Sequence, residues 1–111
     1  MTVMQAWLWL GLAIVLEVSG TMCMKLSESF TRLLPTVLVA VFYIASFSAM
    51  MMSLKRIELG VAYAVWAGIG TALIAALGII VFKEAATAMK LAAIVLIISG
   101  VVMLHLSGDA S

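Results

Sequence analysis

Charge is the scarcest thing in this chain: six basic and five acidic residues stand among 111, while 67% of the sequence is hydrophobic and the mean hydropathy is +1.33. That scarcity excludes a soluble domain and leaves no basic patch for nucleic acid. A single cysteine, Cys23, excludes an internal disulfide and any thiolate metal cluster. The one proline, Pro35, falls near the start of an apolar run, a first-turn position that a helix tolerates, so no run is broken in its middle. Phosphate-binding loops, metal-ligand clusters and nucleophile constellations are missing too, so no enzyme, no metal and no cofactor is expected.

What the sequence does contain is long apolar runs bracketed by charge. Lys25, Glu28 and Arg32 close the first; Leu33–Leu54 is uncharged up to Lys55, Arg56 and Glu58; Leu59–Phe82 is uncharged up to Lys83 and Glu84. The last run, Leu91–Leu106, is lengthened by Ala85–Met89 while Lys90 snorkels its ammonium to the interface. A hydrocarbon core of about 30 Å takes roughly 20 helical residues. The expected fold is therefore an all-α membrane protein, one domain over residues 1–111, with four transmembrane helices at about 3–25, 33–54, 59–82 and 86–106. Strands would need only about 9–11 alternating residues each, and these runs are apolar all round. The first run is not a signal peptide: it lacks a basic n-region, carries Glu17 and exceeds the usual apolar stretch of about 7–15 residues. Ser107–Ser111 is expected only to end the chain.

Glu17 is the only charged side chain before Lys25. An acidic side chain at a membrane-helix centre is unfavourable by about 2.5–3.5 kcal/mol on insertion scales, which marks it as a functional candidate. At about 100° per residue, Ala13, Gly20, Thr21 and Met24 share its helix face, a small and partly polar surface that leaves room beside the carboxyl. A lone carboxyl in that setting suits a group that alternately holds a proton and pairs with a cation. A structural ion pair with Lys25 is the bland alternative. On the third run Tyr63 and Trp66 share a face with Gly70 one turn on, and desolvated aromatic faces attract cations. Tyr43 adds a hydroxyl or another ring from the second. Trp7 and Trp9 read as an interfacial belt, His105 as an interfacial residue, Met50–Met52 as adaptable packing, and Glu28, Glu58 and Glu84 as solvated charges in short connections. Small residues at Gly60, Ala64, Gly68, Ala92 and Gly100 permit close helix packing, within or between copies.

Three stretches carry a resemblance over essentially the whole chain: Glu17-Val-Ser-Gly-Thr-Met-Cys-Met-Lys25, Ser29-Phe-Thr-Arg-Leu-Leu-Pro35, and Gly60-Val-Ala-Tyr-Ala-Val-Trp-Ala-Gly-Ile-Gly70. The sequence resembles the small multidrug resistance family of proton-coupled exporters in the inner membrane. The resemblance implies an antiparallel, dual-topology homodimer in the lipid bilayer whose two copies of Glu17 share one site for protons and small organic cations, protons being the coupling ion. It assigns lining roles to Gly20, Thr21, Tyr43, Tyr63 and Trp66, and helix-packing or hinge roles to Gly68 and Gly70. Gly20 and Tyr43 match the branch exporting quaternary ammonium and other lipophilic cations, since the guanidinium branch has a tryptophan at the position of Gly20. Trp7 in place of a tyrosine, Ala67 in place of a serine, and Lys83-Glu84 depart from that pattern and keep guanidinyl compounds or polyamines as the alternative. A subunit of a heteromeric transporter and a channel are the other readings.

Orientation follows from the Lys and Arg residues at helix ends. Lys25, Arg32, Lys83 and Lys90 fall on one side, Lys55, Arg56 and the terminal amine on the other. So even a balance predicts that copies insert both ways round. Cysteine accessibility measured on both membrane faces should find the C-terminus on each; a uniform orientation would reject the expectation.

Overall fold

The computed structural model describes residues 1–107, so most of the expected chain-ending tail lies outside the described residues. Four helices form, α1 (Val3–Leu26), α2 (Leu33–Ser53), α3 (Leu59–Val81) and α4 (Ala88–Leu106), each long and apolar enough to cross a membrane. No strand occurs among the described residues. The all-α membrane class expected from composition is the class observed.

Local chemistry sets where two of the helices begin. Thr2 Oγ1 accepts from the Gln5 N–H at 3.1 Å while Gln5 Oε1 accepts from the Thr2 N–H at 2.9 Å, a reciprocal cap that opens α1. Thr87 does the same one-sidedly for α4, accepting from the Lys90 N–H at 3.1 Å. That cap moves the start of α4 to Ala88 from the expected 86. Residues 83–87 are consequently non-helical and form the link from α3.

The helices do not close into a bundle. Principal extents of 43 × 35 × 16 Å describe a slab little thicker than one helix, whose diameter with side chains is about 10–12 Å. Helix neighbours give the order α2–α1–α3–α4, with α1 touching both α2 and α3, and α4 resting on α3. The core therefore follows α1: Leu10, Ala13, Ile14 and Val18 bury against Ala49 and Met50 of α2 and Ala62 and Val65 of α3. Ser46 Oγ donates to the Ala13 carbonyl at 2.6 Å inside this contact, a polar tie between α2 and α1 where lipid offers no competing partner.

No residue of α4 is buried. Its seat is Gly68, where a Cβ would stand 2.6 Å from Val101 Cγ2 and 3.4 Å from Ile97 Cγ2. Gly100, expected to pack, is exposed and has nothing within 4 Å of where its Cβ would be, and Gly60 is equally open. Packing inside the protomer thus uses Gly68 and not Gly100.

The two ends of the slab are tied differently. At the end where α1 begins, an Arg56 N–H donates to the Met1 carbonyl at 2.8 Å, and Trp7 meets the His105 ring edge to face at 4.9 Å. At the other end the chain turns through Glu28, Ser29 and Phe30, all at positive φ, a conformation non-glycine residues seldom adopt. Buried Ser27 holds that turn: its hydroxyl accepts from the Phe30 N–H at 3.1 Å and its carbonyl from the Arg32 N–H at 3.0 Å.

Because α4 has so little other contact, its seat should be sensitive. Gly68→Val should lower stability by about 1–3 kcal/mol through overpacking against Val101. A thermal melt in detergent checks this, with Gly100→Val, which meets nothing in the protomer, as the paired control.

Candidate functional site

Glu17 sits roughly 21 Å along α1 from its start and about 13 Å from its end, at 1.5 Å per residue, well within the apolar span. α1 is held on both flanks, so its position is fixed by α2 and α3 together. Thr21, one turn on, donates from Oγ1 to Glu17 Oε1 at 3.0 Å. Tyr43 of α2 completes the row, its hydroxyl 2.7 Å from Thr21 Oγ1. Since the threonine proton is committed to the carboxyl, the phenol is the donor in that second bond. The result is a polar chain, Tyr43 to Thr21 to Glu17, running across two helices.

Gly20 makes that chain possible. A Cβ at position 20 would come within 2.7 Å of Tyr43 Cδ1 and Cε1, so only glycine lets the ring lie flat enough against α1 for its hydroxyl to reach Thr21. Gly20 is accordingly buried against α2 and is not a wall of the cavity beside Glu17. In the protomer Gly20, expected to line the site, packs against Tyr43. Tyr43 likewise acts through Thr21 and does not border that cavity.

On the α3 side Glu17 faces a cavity of about 470 Å³ bordered by Thr21, Tyr63, Trp66, Gly70 and Ile74, among others. Gly70 is placed for the carboxyl rather than for packing, because a Cβ there would lie 3.0 Å from Glu17 Oε2. Tyr63 is 57% exposed and stands edge to face with Trp66 at 5.6 Å. Trp66 also meets Phe47 of α2 at 5.7 Å, which braces the indole from behind. Its buried Nε1–H has no acceptor among the described residues. An unsatisfied buried donor is unfavourable by about 1–3 kcal/mol.

Sequence reasoning missed Thr71. It borders the same cavity, one helical turn beyond Ala67, and so places a hydroxyl on this wall. Ser19, Ser48 and Ser99 each tie their hydroxyl to their own helix carbonyl four residues back, at 2.8, 2.9 and 2.8 Å. Thr71 forms no such bond among the described residues. The signal was present in the spacing: Tyr63, Ala67, Gly70 and Ile74 recur at helical intervals, and Thr71 flanks that stripe.

Taken together the site offers one carboxyl, two ordered hydroxyls and two aromatic rings in an apolar recess, a set suited to cations with apolar bodies. Known proteins match this pattern along nearly the full chain. The family model described as Small Multidrug Resistance protein matches residues 5–97. The chain is 48% identical over 100 residues to the uncharacterized membrane protein YvaE of Bacillus subtilis (strain 168), covering 90% of this chain and 84% of that one. It is 43% identical over 104 residues to the multidrug resistance protein EbrB of the same organism, with 94% and 89% covered. To the quaternary ammonium compound-resistance protein QacE of Escherichia coli it is 42% identical over 108 residues, with 97% and 98% covered.

If Gly20 acts by seating Tyr43, then Gly20→Ala and Tyr43→Phe remove the same interaction. Each should weaken binding of a lipophilic cation about two- to tenfold, in line with a single hydrogen bond, and the double variant should be no weaker than either alone. Additive losses in a titration would show that Gly20 faces the cation directly.

Proposed function

The chain belongs to the small multidrug resistance family, a multi-pass membrane transporter of drug efflux and not an enzyme, and from that premise we propose that it exports lipophilic or quaternary ammonium cations in exchange for protons at Glu17. One observation carries this reading above the rest: a carboxyl deep in a membrane helix lies in an apolar recess with exposed aromatic surface, its described partner being the Thr21 hydroxyl. A neutral hydroxyl orients the carboxylate without cancelling its charge. The charge is left for a mobile ion.

The mechanism is competition. A proton and an organic cation cannot both neutralise one carboxylate, so arrival of either displaces the other, and coupling follows from that exclusion. The Tyr43–Thr21 pair keeps Oε1 engaged, while Oε2, lying over Gly70, faces the recess. Tyr63 and Trp66 supply the ring faces that hold an apolar cation without demanding a particular hydrogen bond.

Alternating access is the part a second copy would complete. The antiparallel homodimer is supported by the near-even charge at the two membrane sides, by the slab form of the protomer and by the unburied α4. Two copies facing each other would wall in a recess that one copy leaves open at Tyr63, Ala67 and Thr71. Quaternary ammonium ions are favoured over guanidinium by the relative QacE and by Gly20, since a tryptophan there would drive Tyr43 off Thr21.

The test is transport by the purified protein alone in liposomes carrying a pH gradient, against quaternary ammonium, guanidinium and polyamine cations. Uptake should follow the gradient, be greatest for quaternary ammonium, and vanish in Glu17→Gln. Retained pH-driven uptake in that variant overturns the role of Glu17, and activity only after a second gene product is added would make the chain half of a heteromeric pump.

A further inference from the structure

Thr21 and Ile74 border two cavities, not one. Beyond them, towards the end of the slab that holds Lys25, lies a second cavity of about 170 Å³ whose other walls include Lys25, Gly78, Phe82 and Glu84. Sequence reasoning treats Glu84 as a solvated charge in a short connection. Glu84 is exposed in that connection, and the backbone there also folds it back over the end of α3. Lys83 adopts a left-handed φ of 57°, and the Glu84 N–H returns to the Gly78 carbonyl at 3.0 Å, closing α3 as a glycine cap would. That turn lays the Glu84 carboxylate directly over Gly78, where any Cβ would collide with it.

An ammonium already stands at the wall of this cavity, and it is the chain's own. Lys25 Nζ stands 5.7 Å from the centroid of the Phe82 ring, the separation of a cation over an aromatic face. A carboxylate, an aromatic face and the edge of the Thr21 hydroxyl are the partners an organic ammonium seeks, and Lys25 shows that the Phe82 face attracts one. Thr21 is also the residue that touches Glu17, so a cation leaving this cavity meets the central recess next.

We propose that the Glu84–Phe82 cavity is an outer binding site for small organic cations, in which the Lys25 ammonium at the Phe82 face is the competitor that an arriving cation displaces. Its volume admits small ammonium and guanidinium ions and not polyaromatic ones, so the site acts selectively on the small members of the substrate range. Handover from it to Glu17 rests on the transport reading given above; binding at Glu84 does not.

The two are separated by working in the Glu17→Gln protein. Tetramethylammonium is titrated into that protein in detergent micelles, with sodium at equal ionic strength as the control, and the amide resonances of Gly78 and Glu84 are followed. Glu17→Gln should show weak, saturable shifts at both amides, and adding Lys25→Met should tighten binding about fivefold or more, because a competitor has been removed. Lys25→Gln should act alike, so the result does not hang on one variant's folding. Adding Glu84→Gln should abolish the saturable shift while the remaining amides stay in place. No saturable shift in the Lys25 variants, or one indifferent to Glu84→Gln, overturns the outer site. A Glu17→Gln protein that still binds a large lipophilic cation as the unmodified protein does would instead count against Glu17, and the Gly78 and Glu84 shifts would still decide the outer site.

Discussion

The bond from Thr21 to Glu17 is the point on which the rest of the molecule turns. It anchors one end of a polar row to the carboxyl and leaves the row's other end, Tyr43, on a different helix. For that row to exist, α2 must approach α1 closely enough at Gly20 and stay there, which the Ser46 tie to the Ala13 carbonyl secures two turns away. For the carboxyl to have a recess at all, α3 must come as near on the other flank, which the absence of a side chain at Gly70 permits. Beside the apolar packing along α1, the close approaches at Gly20 and Gly70 both bear on the same carboxyl.

How much of this could be read from sequence depends on whether a signal was local. Four spans were legible because charges punctuate the apolar runs, and Glu17, Tyr63 and Trp66 stood out because a lone acid or paired rings are conspicuous in such a setting. Thr21 shared the face of Glu17 by simple helical arithmetic. What could not be read was which neighbour a small residue serves. Gly20, Gly68, Gly70 and Gly100 look alike as letters, yet the first seats a tyrosine, the second a neighbouring helix, the third a carboxyl oxygen, and the last faces nothing in the protomer. Glu84 is exposed in its connection as expected, but its approach to Gly78 was not legible, since the left-handed turn at Lys83 leaves no mark in composition.

Hydroxyl bookkeeping separates structural from available polar groups in this membrane setting. Side chains such as Ser48 and Ser99 satisfy themselves on their own helix and so disappear chemically into it. Thr21 and Tyr43 satisfy one another and the carboxyl. The Thr71 hydroxyl and the Trp66 indole N–H have no partner among the described residues, and both residues lie along the Glu17 cavity.

A slab 16 Å thick has two broad faces and almost no interior, and this changes what stability means for the protein. In a globular domain most apolar side chains answer to one another, so the folded state carries its own solvent inside it. Here α4 has no buried residue at all, and its side chains answer to whatever lies alongside, whether acyl chains or another copy. The folding free energy is therefore a joint property of chain and bilayer. Acyl length and lateral pressure belong among its variables as much as any residue does, and a change of membrane acts on this fold as a core mutation acts on a soluble one.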